Sequence, residues 1–598
     1  MLIGLIFLLA AILLGYAVSW KIFKEERFSP AILFGIVVAT WVLFAASMLF
    51  GFGEFSIAIA AIICYAAASY LLVIKRQKIV FGEIASKESA AVAFIAFVFF
   101  FYSVHVGISL NNGFSLATQD YAFHLGIMNT ISQGNFPPVY PNYSQAPLSY
   151  YYFIDFFGAA LVGGGMGLFF AFELIIALLM AAIAHSAFVL ARKISGSTLA
   201  AILALGLLLL IPSCVGCQPG GAAFFSIFSQ TGDSAIPKCF PIAPLLPSFP
   251  LSQPPIAVGF LCIFVLLLSS LEKISGNKPI LLGVLVGLTA AFHVYFFLAM
   301  LAIAFAWLLL EKNRESALLF GSAFIFGALQ ILLLFKDKAG AAFGEFIKPN
   351  LFAYSNNLWD LFLFWLLNAG PHMLLAVLGI LVWKGKNPKI IIALGVCVLI
   401  FLFGNAFNIA PYNWDSNKLF LPLLLLLPVF GGIFLNWLFD RKLGGKAVFG
   451  IIALFALASA YYQTFIYFTP ALDQTPVKVS DAASFDACIW MKANIPVSSI
   501  VLAGDTLEES TCIYAVGGRK AFYSVPFWVR THGFNWDLGK DEQKMVLNGD
   551  LELASKFGIS HVMADRELER EISPKLREKL LGVYSKDGVN IYRITEQE

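Results

Sequence analysis

Apolar residues in this chain come in runs of about 20, long enough to cross a hydrocarbon core of roughly 30 Å as a helix with every backbone polar group paired internally. Such runs lie near 1–20, 29–51, 54–74, 90–110, 168–191, 197–213, 255–271, 279–292, 293–311, 316–335, 359–384, 387–405, 418–438 and 446–468. They predict a polytopic α-helical membrane protein of about 14 transmembrane helices, with 279–311 open to other divisions. The basic residues between the runs set the direction. The links "KIFKEER", "KRQK", "ARK", "LEKISGNK", "EKNR", "WKGKNPK" and "DRKLGGK" fall on alternate turns, and the positive-inside rule makes that side cytoplasmic. Both termini then lie on the extracytoplasmic face of the cell membrane.

Four larger pieces share that outer face, 111–167, 214–254, 336–358 and the stretch from about 469 onward, and the polar residues collect in them. The expected organisation is N-terminal transmembrane helices over 1–110, an external loop over 111–167, a transmembrane core over 168–468 and an external C-terminal domain over 469–598. In that last piece short apolar runs such as "SSIVLAG" and "ISHVMA" alternate with helical patterns such as "KDEQKMVLNGDLELASKFG". It reads as a small α/β domain of roughly 120 residues. The first run, "MLIGLIFLLAAILLGYAVSW", has no basic residue before it and no small-residue cleavage site, so it is expected to stay as an anchor. No internal repeat is visible, which argues against transporters built on inverted repeats.

Composition agrees with this plan. Of 598 residues 60% are hydrophobic and 13% charged, and the mean hydropathy is +0.83, whereas soluble domains carry about 25% charged residues. The net charge of +3 comes without a basic arm, so no nucleic-acid partner is expected. Among the eight cysteines, Cys64, Cys262 and Cys397 fall in apolar runs, where packing accounts for them. Cys214, Cys217 and Cys239 fall short of a four-ligand zinc set, and a disulfide among them, like one between Cys488 and Cys512, suits an oxidising exterior. Asn142-Tyr143-Ser144 matches a glycosylation sequon.

The loop 111–167 carries the most unusual chemistry. In "TQDYAFHLGIMNTISQGNFPPVYP", Asp120 and His124 stand four positions apart, so a helix beginning at Asp120 puts both on one face. Gly134 and Pro137–Pro138 end that helix, which is expected to lie along the membrane interface with Phe123, Leu125 and Met128 in lipid. A capping role for Asp120 is the plainer alternative. Downstream, "LSYYYFIDFF" sets Tyr150, Tyr151 and Tyr152 at the re-entry into the membrane, where aromatic residues with polar tips gather. Asp155 follows one turn deeper, a costly place for an acid unless it faces a cavity or a partner. The run Gly163–Gly165 breaks this segment before the span near 168–191.

Further outer groups are Asp415, Asn417 and Lys418 in "WDSNKLF", ahead of a very apolar run. Lys418 either snorkels to head groups or meets a phosphate with Asn417. His293 and His372 stand at outer helix ends as packing residues or site-lining groups, and Glu173 has no assignable role. No Walker-type phosphate loop, dinucleotide fingerprint, G-x-S-x-G or HExxH occurs, so energy for a synthetic reaction is expected to arrive in an activated, lipid-linked substrate.

An acid in an early outer loop followed by a helix, many spans and an external C-terminal domain resemble the GT-C superfamily of membrane glycosyltransferases. The stretch "QDYAFHLGIMNTISQGNFPPVYP…PLSYYYFIDFF" resembles the bacterial and archaeal YYY-motif membrane proteins, "WDSNK" a WDN-K element of related proteins, and "GGRKAFYSVPFWVRTHGFN" with "KFGISHVMADRELER" and "GVNIYRI" their external domain. Two features depart from the family: three runs precede the one leading into the acidic loop, and the loop has a single Asp where many members place two acids.

The resemblance implies an inverting glycosyltransferase that takes a sugar from a polyprenyl-phosphate or related lipid-linked donor, among membrane lipids, to a glycan, lipid or protein acceptor. Asp120 is then expected as general base and His124 to orient the acceptor or support Asp120, with Tyr150, Tyr151, Tyr152, Asp155, His293, Asp415, Asn417 and Lys418 as substrate-binding residues. No metal ligands are assigned, and a divalent cation, magnesium or manganese, is left open. The alternatives are a non-catalytic transporter or assembly protein for lipid-linked glycans, or a polysaccharide polymerase or ligase.

Overall fold

The computed structural model describes residues 2–74, 84–110, 113–116, 119–210, 253–272, 275–334, 348–349, 357–385, 387–409, 418–441, 444–451, 477–504 and 507–595. Asp415, Asn417, Cys214, Cys217, Cys239 and most of the run 446–468 lie outside them.

The apolar runs form helices close to where the sequence puts them. The first four are α1 (Leu2–Ile22), α2 (Phe28–Phe50), α3 (Glu54–Ile74) and α4 (Lys87–Val106). Then come α5 (Gln119–Ser132), α6 (Phe153–Gly163), α7 (Leu168–Ser195), α8 (Thr198–Leu210), α9 (Pro254–Ser270), α10 (Lys278–Leu288), α11 (Val294–Glu311), α12 (Arg314–Leu334), α13 (Leu358–Val382), α14 (Pro388–Ala406) and α15 (Leu421–Phe439). Among the described residues nine helices are long and apolar enough to cross a membrane, and the chain is a multi-pass membrane protein.

Burial separates centre from rim. The most apolar windows of α7 and α15 are 89% and 83% buried, those of α12 and α14 only 28% each, so the first pair forms the middle of the bundle and the second presents its side chains to lipid. Close helix contact needs small residues there. A Cβ on Gly15 would collide with Ala31 O of α2, and one on Gly35 with Ala11 O of α1. At the end of the bundle that carries the basic links, Glu26 gathers a buried polar network: Ser89 Oγ donates to it at 2.6 Å, His185 Nε2 lies at 3.1 Å, and Arg192 pairs with it. Burial pushes the Glu26 carboxyl up, but the hydrogen bonds from His185, Ser89 and Ser86 outweigh it and hold the carboxyl at about 2.

The segment 278–311 divides at 289–293. A 3-10 turn, Thr289–Ala291, follows α10, and His293 is extended at φ −166° before α11 begins. Such a break exposes backbone groups that hydrocarbon cannot satisfy. Gln330 of α12 satisfies them, accepting from Ala291 N at 3.2 Å and donating to Gly287 O at 2.9 Å.

The strands lie beside the loop and in the C-terminal part. In the loop are β1 (Ile108–Ser109), β2 (Gly113–Leu116), β3 (Val139–Tyr140) and β4 (Tyr143–Pro147); β5 (Lys348–Pro349) and β6 (Phe407–Asn408) pair separately. The C-terminal part adds β7 (Val477–Asp481), α16 (Ala482–Asn494), β8 (Ile500–Leu502), α17 (Leu507–Ala515), β9 (Lys520–Ala521), α18 (Pro526–Thr531), α19 (Trp536–Leu547), α20 (Leu551–Lys556), β10 (Ile559–Ala564), α21 (Leu568–Glu571), α22 (Pro574–Arg577), β11 (Leu580–Lys586) and β12 (Val589–Ile594). Five of these strands make a mixed sheet in the order β11-β12-β10-β8-β9. β7 belongs elsewhere: it pairs antiparallel with β2, Gly113 opposite Asp481, in the sheet β1-β2-β7. Cys488 of α16 is bonded to Cys512 of α17. Arg519, 2% exposed, donates to Lys492 O at 2.9 Å and Ile495 O at 2.7 Å, closing the end of α16, so the "GGRK" stretch has a structural role.

Candidate functional site

Asp120 stands in the first turn of α5, as the spacing predicts, where the free N–H groups and positive end of the helix dipole favour a carboxylate. The rest of α5 corrects the expectation of an interfacial helix. Phe123, Leu125 and Met128 are 3%, 0% and 1% exposed and meet protein, not lipid. Phe123 packs on Trp528 and His532 of the C-terminal part, and Met128 packs against Gly158 of α6. Gly126 takes the ring of Tyr514, and Asn129 Nδ2 donates to the carbonyls of Ala515 at 3.2 Å and Val516 at 2.9 Å at the end of α17. An apolar helix face has the same residue pattern whether lipid or protein covers it, and here the C-terminal part and α6 do.

His124 and Asp155 answer one another. The imidazole Nδ1 lies 2.9 and 3.1 Å from the two carboxylate oxygens, and both side chains are 1% exposed. A carboxylate only accepts, so Nδ1 carries the proton and donates, and ring geometry turns Nε2 away from Asp155. The deep acid thus has its partner, and His124 is oriented by Asp155 rather than by Asp120.

The tyrosine triple divides. Tyr150 stacks on Tyr151 with centroids 4.0 Å apart, and it also meets Phe123, His124 and His532. Burial pushes the Tyr150 phenol well above its ordinary range, and the charge on Tyr151, its hydrogen bond, and the carboxylates of Asp120 and Asp155 act the same way, so it stays a neutral donor. Tyr151 stacks on His293 at 4.5 Å and accepts from Lys418 Nζ at 2.8 Å. Tyr152 instead turns onto Phe153 and Phe156, 3% exposed, and packs rather than joining this group.

Lys418 does not snorkel. It is 8% exposed, its ammonium 5.5 Å from the Tyr151 ring centroid and 6.0 Å from that of Tyr295, within cation–π range. The helix break at 289–293 delivers His293 beneath Tyr151, and neither of its buried ring nitrogens has a hydrogen-bond partner among the described residues. His372 packs, its Nε2 donating to Leu207 O at 3.2 Å. Glu173 is paired with His105 Nδ1 at 3.1 Å.

Two residues of the site were not foreseen. Gln253, just ahead of α9, donates from Nε2 to Asp120 Oδ2 at 2.7 Å. His532 joins from the C-terminal part, its ring 5.0 Å from Phe123 and 5.2 Å from both Tyr140 and Tyr150. The only sequence signal for Gln253 was a polar residue before Pro254–Pro255 at the end of an apolar run. The sequon residue Asn142 is fully buried, and its carbonyl accepts from Ser524 N at 2.9 Å, so folding withdraws it from modification. Among the described residues no three His, Cys, Asp or Glu side chains gather as a metal-ligand set.

The site therefore has a partly exposed carboxylate, an imidazole oriented by a buried acid, and a buried ammonium held against the stacked Tyr150–Tyr151 pair. No family model matches the chain, and no curated protein matches it. Among solved structures, arabinofuranosyltransferase AftD from mycobacteria, seen by single-particle cryo-EM, matches with a TM-score of 0.50 at 14% identity. The match covers 86% of this chain but 40% of that one, so this chain spans well under half the length of AftD. At such identity the likeness is one of fold.

Proposed function

We propose that this protein is a membrane glycosyltransferase that moves a sugar from a polyprenyl-phosphate or related lipid-linked donor to an acceptor hydroxyl on the extracytoplasmic face, with inversion. The observation that carries the reading is Asp120 itself, a carboxylate at a helix N-terminus, fixed by Gln253 and left accessible in an otherwise buried helix. In the step, the acceptor oxygen bonds to the anomeric carbon as the bond from that carbon to the phosphate oxygen breaks. The acceptor proton passes to Asp120, and the bonding pair leaves with the lipid phosphate. Lys418 neutralises the charge growing on that phosphate, an aimed electrostatic contribution that preorganised sites make well. Asp155 fixes the His124 ring, whose Nε2 supports the acceptor, and Tyr150–Tyr151 form the wall against which a sugar or prenyl chain rests.

Membranes containing wild-type protein or Asp120→Asn, supplied with radiolabelled sugars on a panel of polyprenyl-phosphate carriers and with water among the acceptors, test this. Transfer or donor hydrolysis should fall by about 100-fold or more in the variant, the range for losing a general base. Undiminished turnover by Asp120→Asn removes Asp120 from the chemistry, and saturable donor binding without turnover in either protein favours a non-catalytic handler of lipid-linked glycans.

A further inference from the structure

Gln253 holds more than the carboxylate. Because Asp120 only accepts, the amide must turn its nitrogen toward it, which settles the orientation of the two amide ends. Oε1, the other end of the same amide, is buried and without a hydrogen-bond partner among the described residues. An unpaired buried carbonyl is destabilising, and here the cost stands one side chain from Asp120. The amide is also firmly mounted. Pro254 and Pro255 open α9 directly behind it, every residue of that helix is buried, and Gln253 O accepts from Ile256 N at 2.9 Å.

Asp120 and Gln253 Oε1 are thus two neighbouring acceptors in want of donors. A lone alcohol supplies one donor and leaves Oε1 unpaired; a sugar with hydroxyls on adjacent carbons supplies both. We propose that Gln253 reads a second hydroxyl beside the one that Asp120 deprotonates, so that the acceptor is a carbohydrate with adjacent hydroxyls rather than an isolated lipid alcohol or a serine or threonine side chain. The inference rests on the reading of Asp120 as the base. The second hydroxyl keeps its proton and donates to Oε1, while the bonds made and broken are those of the step given above. Gln253 is in this sense both a positioning residue for Asp120 and a specificity residue for the acceptor.

The test uses full-length protein in lipid nanodiscs and, as probes, methyl glycosides of several hexoses and pentoses, their monodeoxy analogues, and simple alcohols. Binding is read by saturation-transfer NMR and, with a lipid-linked donor, transfer by kcat and KM. Wild type should bind at least one methyl glycoside and lose about tenfold or more when either of two adjacent hydroxyls is removed, since a site built to bond a hydroxyl rejects the analogue lacking it. Gln253→Leu should erase that preference chiefly through KM, and Gln253→Glu, which keeps an acceptor oxygen, should retain part of it. The deoxy series on wild type needs no variant, so a misfolded Gln253→Leu leaves the test intact. Equal binding of parent, deoxy analogue and simple alcohol, no glycoside binding by wild type, or a preference unchanged in Gln253→Leu overturns the inference. Hydroxyl-dependent binding without transfer would leave Gln253 a hydroxyl-binding residue and overturn the deprotonation by Asp120 on which the acceptor role rests, whereas transfer without hydroxyl preference would keep that chemistry and overturn the role of Gln253 alone.

Discussion

Asp155→Ala removes the carboxylate that faces His124 Nδ1 at 2.9 and 3.1 Å, in a place where both side chains are 1% exposed. Breaking a fully charged buried pair costs about 3–5 kcal/mol. His124 escapes part of that cost by going neutral, which leaves the lost charge-assisted hydrogen bond, about 1.5–3 kcal/mol, and a small cavity in α6. The expected loss is therefore about 3 kcal/mol, roughly a hundredfold in the folding equilibrium. Asp155→Asn keeps an acceptor oxygen for Nδ1–H and should lose no more than about half as much. Unfolding in mixed micelles, followed by tryptophan fluorescence, gives the order wild type, Asn, Ala, and a double-mutant cycle with His124→Gln isolates the pair, with a coupling of at least about 1 kcal/mol expected for residues in contact. Asp155→Ala within about 0.5 kcal/mol of wild type, the range of an inconsequential surface change, or a cycle with no coupling, would refute the pairing as the reason an acid sits so deep.

Replacing Cys488 and Cys512 together by Ser opens a bridge between positions 24 apart, and thermal unfolding should show the C-terminal part about 3 kcal/mol less stable; an unchanged transition counts against that bridge in the folded protein. Glu26, held at about 2 against an ordinary 4.5, contributes stability above the ordinary value that is lost as pH falls through the folded one. Wild type should therefore lose about 3 kcal/mol between roughly pH 4.5 and 2, while Glu26→Gln, measured over the same window, should be flatter and less stable at neutral pH. Gly35→Leu drives a side chain into Ala11 of α1 and should cost about 1–3 kcal/mol or more, seen as a lower yield of monodisperse protein on size exclusion.

Much of the architecture was legible because hydrocarbon imposes one rule, that backbone groups be paired within the segment, and long apolar runs obey it visibly. Polar residues surviving in such a chain also announce themselves, which is how Asp120, His124, Tyr150, Tyr151 and Lys418 came to notice. Their pairing was another matter. Helical spacing placed His124 with Asp120, but spacing says nothing of the partner from the next element, and Asp155 holds the ring. Gln253 meets Asp120 across 133 positions, and no local pattern reaches that far. Asn142 looks like a surface residue by motif and proves to be core because the C-terminal part lies over it, whereas Tyr152, expected to line the site, is buried on Phe153 and Phe156 of α6.

The pairing of β2 with β7 sets an order of events. Gly113 finds Asp481, and Asn129 reaches Ala515, 386 positions further on, so the cover over α5 is synthesised long after the helix itself. Until it arrives, the helix that carries Asp120 has no lid for its apolar side, and His532 is missing from the aromatic wall. A ribosome-bound or truncated chain would thus hold the acid without the chamber around it. Assembly of that cover doubles as a checkpoint: only a chain that has been threaded through the spans before it has a complete aromatic wall beside Asp120.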